Sequence, residues 1–431
     1  MKLDKPLSAP VSSRPPIALS AAGFVSCFDR FAISPLLILI STGLGIPLGT
    51  AVFTASAYFL AYGLSQPLWG ILSDRVGRVR VMRWTLLIAA LAGAVSALAP
   101  NAHVLIAARI VAGACYGAVV PTSLTYLGDT VPAARRQRAL SDLMAVMAVG
   151  TALATAVAGV LAEAVDWRLV FAAPAVCAVI CSYALRTLPE PRRAASSAGG
   201  IGGHLGAVLR NRWALTVFGL AFVEGAVLLG TMTLLATALQ ARGVSATVAG
   251  LATAMYGVGV VIFSRLVRML TGRLPVWGLI AIGGAQMCAG YGIVTAWVTL
   301  PAVFVTALLL GGGWSFMHSS LQTWVTSVVP QARGTAVAFF AGALFIGSSA
   351  AATAAGPLAE RGHYALLFGI ACALTVPLTL TAALTRRRWR PAPEEPVAVP
   401  GPVTAEPAPA EPAPAEPAPA EPQTQAGPGG R

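Results

Sequence analysis

Five side chains in this sequence carry charge or a titratable proton where almost everything around them is apolar. Asp29 and Glu224 are carboxylates within long hydrophobic runs, and Arg30, Arg109 and His318 lie in similar runs. An ionisable group near the middle of a bilayer costs on the order of several kcal/mol unless it is paired or hydrated, so each is a candidate for function. At 1.5 Å per residue, Asp29 lies roughly 16 Å into its helix, near the midplane of a layer about 30 Å thick. A carboxylate exposed there to each side in turn can load and release a proton, or hold a substrate. A structural ion pair with Arg30 or Arg109 is the competing reading. Adjacent helical residues point about 100° apart, which makes Arg30 the less natural partner. Arg109 sits roughly 9 Å in from the outer face, and its long side chain could reach toward Asp29. Glu224 stays open between recognising a cation, coupling protons and structural pairing. A histidine titrates near physiological pH, so His318 fits a proton role as well as that of a hydrogen-bonded core residue. Tyr58, Gln66, Tyr116, Tyr256, Trp314 and Gln322 are amphipathic enough to line a cavity for an aromatic ligand, and core packing is their other use.

The elements that must position these groups are read from composition. The chain has 431 residues, 56% hydrophobic and 10% charged, with a mean hydropathy of +0.75. Soluble domains carry roughly 25% charged residues, so this is a polytopic α-helical membrane protein. Twelve apolar segments are expected. The first runs over about 18–41, the second ends near 70, and the next three cover 81–98, a run after 103 to 126, and 139–161. The sixth ends at 188, and 213–238, 246–264, 275–297, 300–326, 334–358 and 364–385 follow. This divides the chain into a tail (1–17), a six-helix bundle (18–188), a linker rich in Pro, Ser, Gly and Arg (189–212), a second bundle (213–385) and a tail (386–431). The last repeats Ala-Glu-Pro-Ala-Pro and is expected to be a disordered, semi-extended arm.

The net charge of +13 belongs to short loops. Of the 29 Lys and Arg residues, only Arg168, Arg242 and Arg361 fall on the outer side and only Arg30 and Arg109 within the membrane. The positive-inside rule then puts both termini in the cytoplasm and leaves nucleic-acid binding without support. A chain without targeting extensions fits the plasma (inner) membrane, and the first apolar run is too long for a cleaved signal. The six cysteines lie in apolar runs without metal spacing and read as packing residues. No phosphate-cradling motif, metal-ligand set or nucleophile–base pair is present, which argues against an ATP-driven pump, a metal centre, a cofactor or an enzyme.

Two patterns organise the rest. The first is Gly70-Ile-Leu-Ser-Asp74-Arg75-Val-Gly77-Arg78-Val-Arg80-Val-Met-Arg83, a charged turn between apolar runs in which Gly77 supplies a position that tolerates φ > 0. The second is a repeat. Asp29 falls on Glu224 and Gly77-Arg78 on Gly272-Arg273 at an offset of 195, Val131-Pro132 on Val329-Pro330 at 198, and Gly150 and Gly159 on Gly347 and Gly356 at 197. Matches in one order at nearly one offset imply two homologous halves, with a site between them near the midplane. In the second half, Arg265 and Met269 replace the counterparts of Gly70 and Asp74.

The charged turn resembles the signature of the major facilitator superfamily between its second and third helices, and the likeness covers about residues 15–388. Leu105-x-x-x-Arg109-x-x-x-Gly113 resembles the fourth-helix motif of the drug:proton antiporter branch, which implies a role for Arg109 in proton transfer. Residues 150–159 resemble the fifth-helix antiporter motif only in part, since Ala154-Thr155 stand where that motif has Gly-Pro. Gly356-Pro357 partly echoes the missing pair. The resemblance implies the twelve-helix, two-bundle fold and a conformational latch built from Gly70, Asp74, Arg75, Gly77, Arg78, Asp129 and Arg135, closed in the outward-open state. Simple topological anchoring is the alternative for these charges. The expected function is proton-coupled efflux of small organic molecules or drugs by alternating access, carried out by a monomer whose partners are its substrate, protons and the lipid bilayer. An uptake transporter for a metabolite or sugar is the alternative, and a non-transporting sensor or scaffold is a second, from a different class.

Overall fold

The computed structural model describes residues 14–191 and 201–390, so the Pro/Ala/Glu arm and the middle of the linker lie outside the described residues. Among the described residues, twelve helices are long and apolar enough to cross a membrane. In chain order they are α1 (Ile17–Leu44), α2 (Leu48–Val76), α3 (Arg78–Ala97), α4 (Ala102–Thr130), α5 (Ala133–Ala164) and α6 (Leu169–Thr187). The second set is α7 (Arg212–Gln240), α8 (Ala246–Leu270), α9 (Val276–Ala296), α10 (Leu300–Val328), α11 (Pro330–Glu360) and α12 (Tyr364–Arg388). A short helix, Ile201–Leu209, occupies the end of the expected linker.

Local chemistry sets the boundaries. Pro16, Pro47, Pro132 and Pro275 precede the first residues of α1, α2, α5 and α9, where a fixed φ suits the helix start. Asn101, Asn211 and Ser245 cap α4, α7 and α8 by accepting backbone N–H groups. The sequence reading placed the charges of Asp74 and Arg75 in a loop, but α2 continues through Val76 and the reversal is made at Gly77 (φ 122°). Arg135, Arg136 and Arg138 likewise belong to the first turns of α5. α2, α5, α8 and α12 are longer than their apolar runs because charged residues extend them beyond the hydrocarbon layer without breaking the backbone hydrogen bonding.

The repeat reappears as packing. Gly113 on α4 meets the Tyr58 backbone of α2, and Gly311 on α10 meets the Tyr256 backbone of α8. Gly150 on α5 lies against the Phe24 backbone, and Gly347 on α11 against that of Phe222. Between the halves, Gly159 approaches Ala246 and Gly356 approaches Gly49. These contacts come in pairs related by the sequence offset, as a two-fold axis between the bundles requires. Each needs a residue without a side chain, because helix backbones touch there. Gly347→Leu is therefore expected to force α11 from α7 and lower stability by about 1–3 kcal/mol. Gly219→Ala, where an added Cβ meets open space, should change little; thermal unfolding in detergent checks both.

The two halves meet along α2–α11 and α5–α8. Their hydrogen-bonded seam lies at the face opposite the Arg-rich turns: Ser34 Oγ donates to the Thr233 carbonyl (2.7 Å), Gln240 Nε2 to the Pro35 carbonyl (3.0 Å), and the Thr247 N–H to Glu163 Oε2 (2.7 Å). Toward the basic face α8 is exposed at Ile262, Arg265, Leu266, Arg268 and Met269, and the Pro132–Arg138 stretch is exposed as well. The molecule is closed at its neutral face.

Candidate functional site

Asp29 sits twelve residues into α1, shortly before the helix loosens at Ser34-Pro35 into a 3-10 turn. Arg109 reaches it from α4. Both terminal guanidinium nitrogens donate to the carboxylate, each at 3.0 Å, and Nη2 also approaches the Asp29 carbonyl at 3.4 Å. Side-chain exposure is 2% for Asp29 and 1% for Arg109, so this forked pair is closed to water. The guanidinium lies between the rings of Tyr58 (4.4 Å) and Phe171 (4.8 Å), which attract a cation through their faces. Of the partners weighed for Asp29, Arg109 is the one the structure supplies.

Glu224 stands at the matching place in α7 and pairs with His318 of α10, Nδ1 to Oε2 at 3.3 Å. The helices pair alike in the two halves, α1 with α4 and α7 with α10, but the bases do not align, since the counterpart of Arg109 at the repeat offset is Ala307. Glu224 is fully buried, and its Oε1 has no hydrogen-bond partner. The His318 ring lies flat on Trp314 (3.7 Å between centroids) and 5.3 Å from Phe340. Both helices leave α geometry here: α7 has a π turn over Ala226–Gly230 and α10 one over Trp314–His318. Such turns release backbone groups from the regular ladder and are frequent at functional sites.

Arg30 points elsewhere. Its Nη1 donates to the Tyr62 hydroxyl (3.2 Å), Nη2 meets Cys27 Sγ (3.5 Å), and the rings of Phe31, Tyr62 and Phe345 surround it at 4.8, 5.3 and 5.3 Å. It faces a narrow cleft between the halves with about 20 Å³ of room, enough for a water or two in this closed arrangement. The first half contributes Arg30, Phe31, Ser34 and Thr155 to the lining, and the second half Thr253 and Tyr256. Of the six residues expected to line a cavity, Tyr256 does so. Tyr58 covers Arg109, and Tyr116 donates from its hydroxyl to the Pro174 carbonyl, so both lie within the first bundle. Gln66 is buried, Trp314 stacks on His318 and Gln322 is half-buried. Sequence reasoning missed Tyr62 and Phe345. The i, i+4 spacing of Tyr58 and Tyr62 puts them on one helix face and was an available signal; nothing local marks Phe345.

At the basic face Arg78 is the hub. It pairs with Asp74, donates from Nε to Asp129 Oδ2 (3.2 Å) and from Nη1 to Ser73 Oγ (2.8 Å). This joins α2, α3 and α4 of the first half. Glu190, read from sequence as the start of a linker, instead accepts the N–H groups of Val79 (3.1 Å) and Arg80 (3.2 Å) and caps α3. Gly77 lies against the same carboxylate, and Gly70 faces open space. Arg75 and Arg135 are exposed on this face. Among the described residues no cluster of three or more metal-ligating side chains occurs.

The model of the Major Facilitator Superfamily matches residues 19–238 and 217–422. A chloramphenicol resistance protein of Streptomyces lividans is 26% identical over 336 residues, 77% of this chain and 84% of that protein. The multidrug export protein EmrB of Escherichia coli K12 is 26% identical over 171 residues, 40% of this chain and 33% of that protein. Among solved structures, a D-xylose-proton symporter superposes with a TM-score of 0.70 at 19% identity, over 88% of this chain and 97% of that one. The nucleoside transporter NupG does so at 0.67 and 15%, over 87% and 99%. Identities this low establish a shared fold alone. With both halves matched by one family model and twelve spanning helices arranged in a two-fold repeat, this chain belongs to the Major Facilitator Superfamily: it is a multi-pass membrane transporter of small molecules, not an enzyme.

Proposed function

We propose that the chain exports small organic molecules in exchange for protons, from a plasma membrane in which both termini are cytoplasmic. The observation that carries this reading is a pair of buried carboxylates at repeat-related positions, Asp29 in the first half and Glu224 in the second. Glu224 is the better proton carrier. Its Oε1 is unpartnered, and His318 at its other oxygen can take or return a proton as the site changes exposure. Protonation of an Asp29 oxygen displaces the Arg109 donor held there, so it is tied to movement of α4 against α1. With the basic turns in the cytoplasm, the sealed neutral face is extracellular and the molecule rests at the cytoplasm-open stage of its cycle. Asp74, Arg78, Asp129 and Arg135 would act at the other stage, drawing the basic ends of the halves together as a latch. The chloramphenicol resistance and multidrug export relatives favour export.

Import is the second reading, favoured by α5, which runs from Ala133 to Ala164 without the proline of the antiporter pattern. Inside-out vesicles separate the two. An imposed gradient, acid inside, should drive chloramphenicol or a reporter dye into the lumen, and a protonophore should abolish the accumulation. Accumulation that ignores the gradient, or that needs the opposite gradient, would reject proton-coupled export.

A further inference from the structure

The cavity between the halves contains a cation that the proton cycle does not use. Arg30 is the one charged side chain in its lining, and no carboxylate lies within ion-pair distance of it among the described residues. Asp29, its neighbour in sequence, is held on both oxygens by Arg109, and Glu224 is turned to His318. Arg30 Nε has no partner at all, and neither does the buried hydroxyl of Thr155 in the same lining. A guanidinium has five donors in a planar fork shaped for a carboxylate, and a half-buried cation that has only a hydroxyl and a thiol as partners, with Nε unmet, is stabilised by an anion that can reach it. Three aromatic rings, Phe31, Phe59 and Tyr256, are in the lining, with Phe31 tilted against Tyr256 at 5.9 Å, and Tyr62 and Phe345 flank the Arg30 guanidinium.

We propose that this cleft, once the halves part enough to admit a ligand, recognises aromatic anions, small aryl carboxylates, with the carboxylate in the fork of Arg30, the Thr155 hydroxyl donating to it, and the ring packed on the cleft-lining faces of Phe31 and Tyr256. The inference rests on the transporter reading above and gives it a substrate class. The same charge disfavours cationic drugs, because a cation placed there would face Arg30 with no carboxylate free to receive it.

The full chain in nanodiscs, without a gradient, is titrated calorimetrically with salicylate, naphthoate and ethidium. The aryl carboxylates should bind and ethidium should not. Arg30→Gln should weaken carboxylate binding by ~10-fold or more, the scale of a charge-assisted hydrogen bond. Arg30→Lys should fall between, having charge without the fork, and Thr155→Val should weaken binding severalfold while leaving unfolding temperature unchanged. Wild-type affinity in a folded Arg30→Gln, ethidium binding tighter than the carboxylates, or no carboxylate binding would each overturn the proposal. Displacement of salicylate by chloride at equal concentration would overturn its aromatic part. Binding without gradient-driven transport in vesicles would leave the substrate class standing and remove proton-coupled export instead.

Discussion

Arg109→Ala is expected to destabilise the protein by about 3–5 kcal/mol, the usual consequence of leaving one member of a buried ion pair alone. Asp29 would keep its charge at 2% exposure with neither of its 3.0 Å donors. The cation between Tyr58 and Phe171 would also be replaced by a void, adding a packing loss. The double variant Asp29→Asn/Arg109→Gln removes both charges while keeping groups that can hydrogen-bond, and it should recover most of the loss. Thermal unfolding in detergent of the wild type, Asp29→Asn, Arg109→Gln and the double variant gives the coupling between the residues directly. A cycle in which the single changes simply add would mean that the pair contributes nothing as a pair.

Glu224→Gln should abolish gradient-driven accumulation while leaving counterflow exchange of substrate across the same vesicles. The amide matches the carboxyl in shape and keeps a contact to His318, but it binds no proton in the working range, so the cycle loses its coupling and not its site. Asp29→Asn should instead impair both assays, because it disturbs the pair that fixes α1 against α4. The reverse pattern, with Asp29→Asn uncoupled and Glu224→Gln normal, would move the carrier to the first half.

Much of this architecture can be read from residue types alone. The twelve spans, the turn at Gly77 and the repeat follow from hydropathy and glycine spacing, because membrane helices must satisfy their own backbone and can touch only at small residues. The midplane positions of Asp29 and Glu224 follow from counting residues along a helix. Direction around the helix is less legible. Asp29 and Arg30 are adjacent, yet one faces the interior of its bundle and the other the cavity, and only the packing of Tyr58, Phe171, Tyr62 and Phe345 decides which. Those rings come from three separate helices, α2, α6 and α11, so beyond the Tyr58/Tyr62 spacing no local pattern announces them. Glu190 escaped for a related reason: its proline-flanked surroundings look like linker, and its role depends on the start of α3, more than a hundred residues earlier.

The seam at the neutral face bears on how the molecule divides its time. Its hydrogen bonds join Ser34 to Thr233, Gln240 to Pro35 and Thr247 to Glu163, and the two between uncharged groups, Ser34–Thr233 and Gln240–Pro35, are each worth about 0.5–1.5 kcal/mol net. A closure held by so few bonds, with bare backbone at Gly49 and Gly356 in place of interlocked side chains, sets only a shallow preference between two shapes. A gap of a few kcal/mol keeps the rarer shape at about 0.1–10% of molecules at rest. A ligand that prefers it by roughly 5–150-fold supplies 1–3 kcal/mol and moves that balance substantially. Weak sealing on one face is thus what lets a substrate or proton of ordinary affinity turn the molecule over.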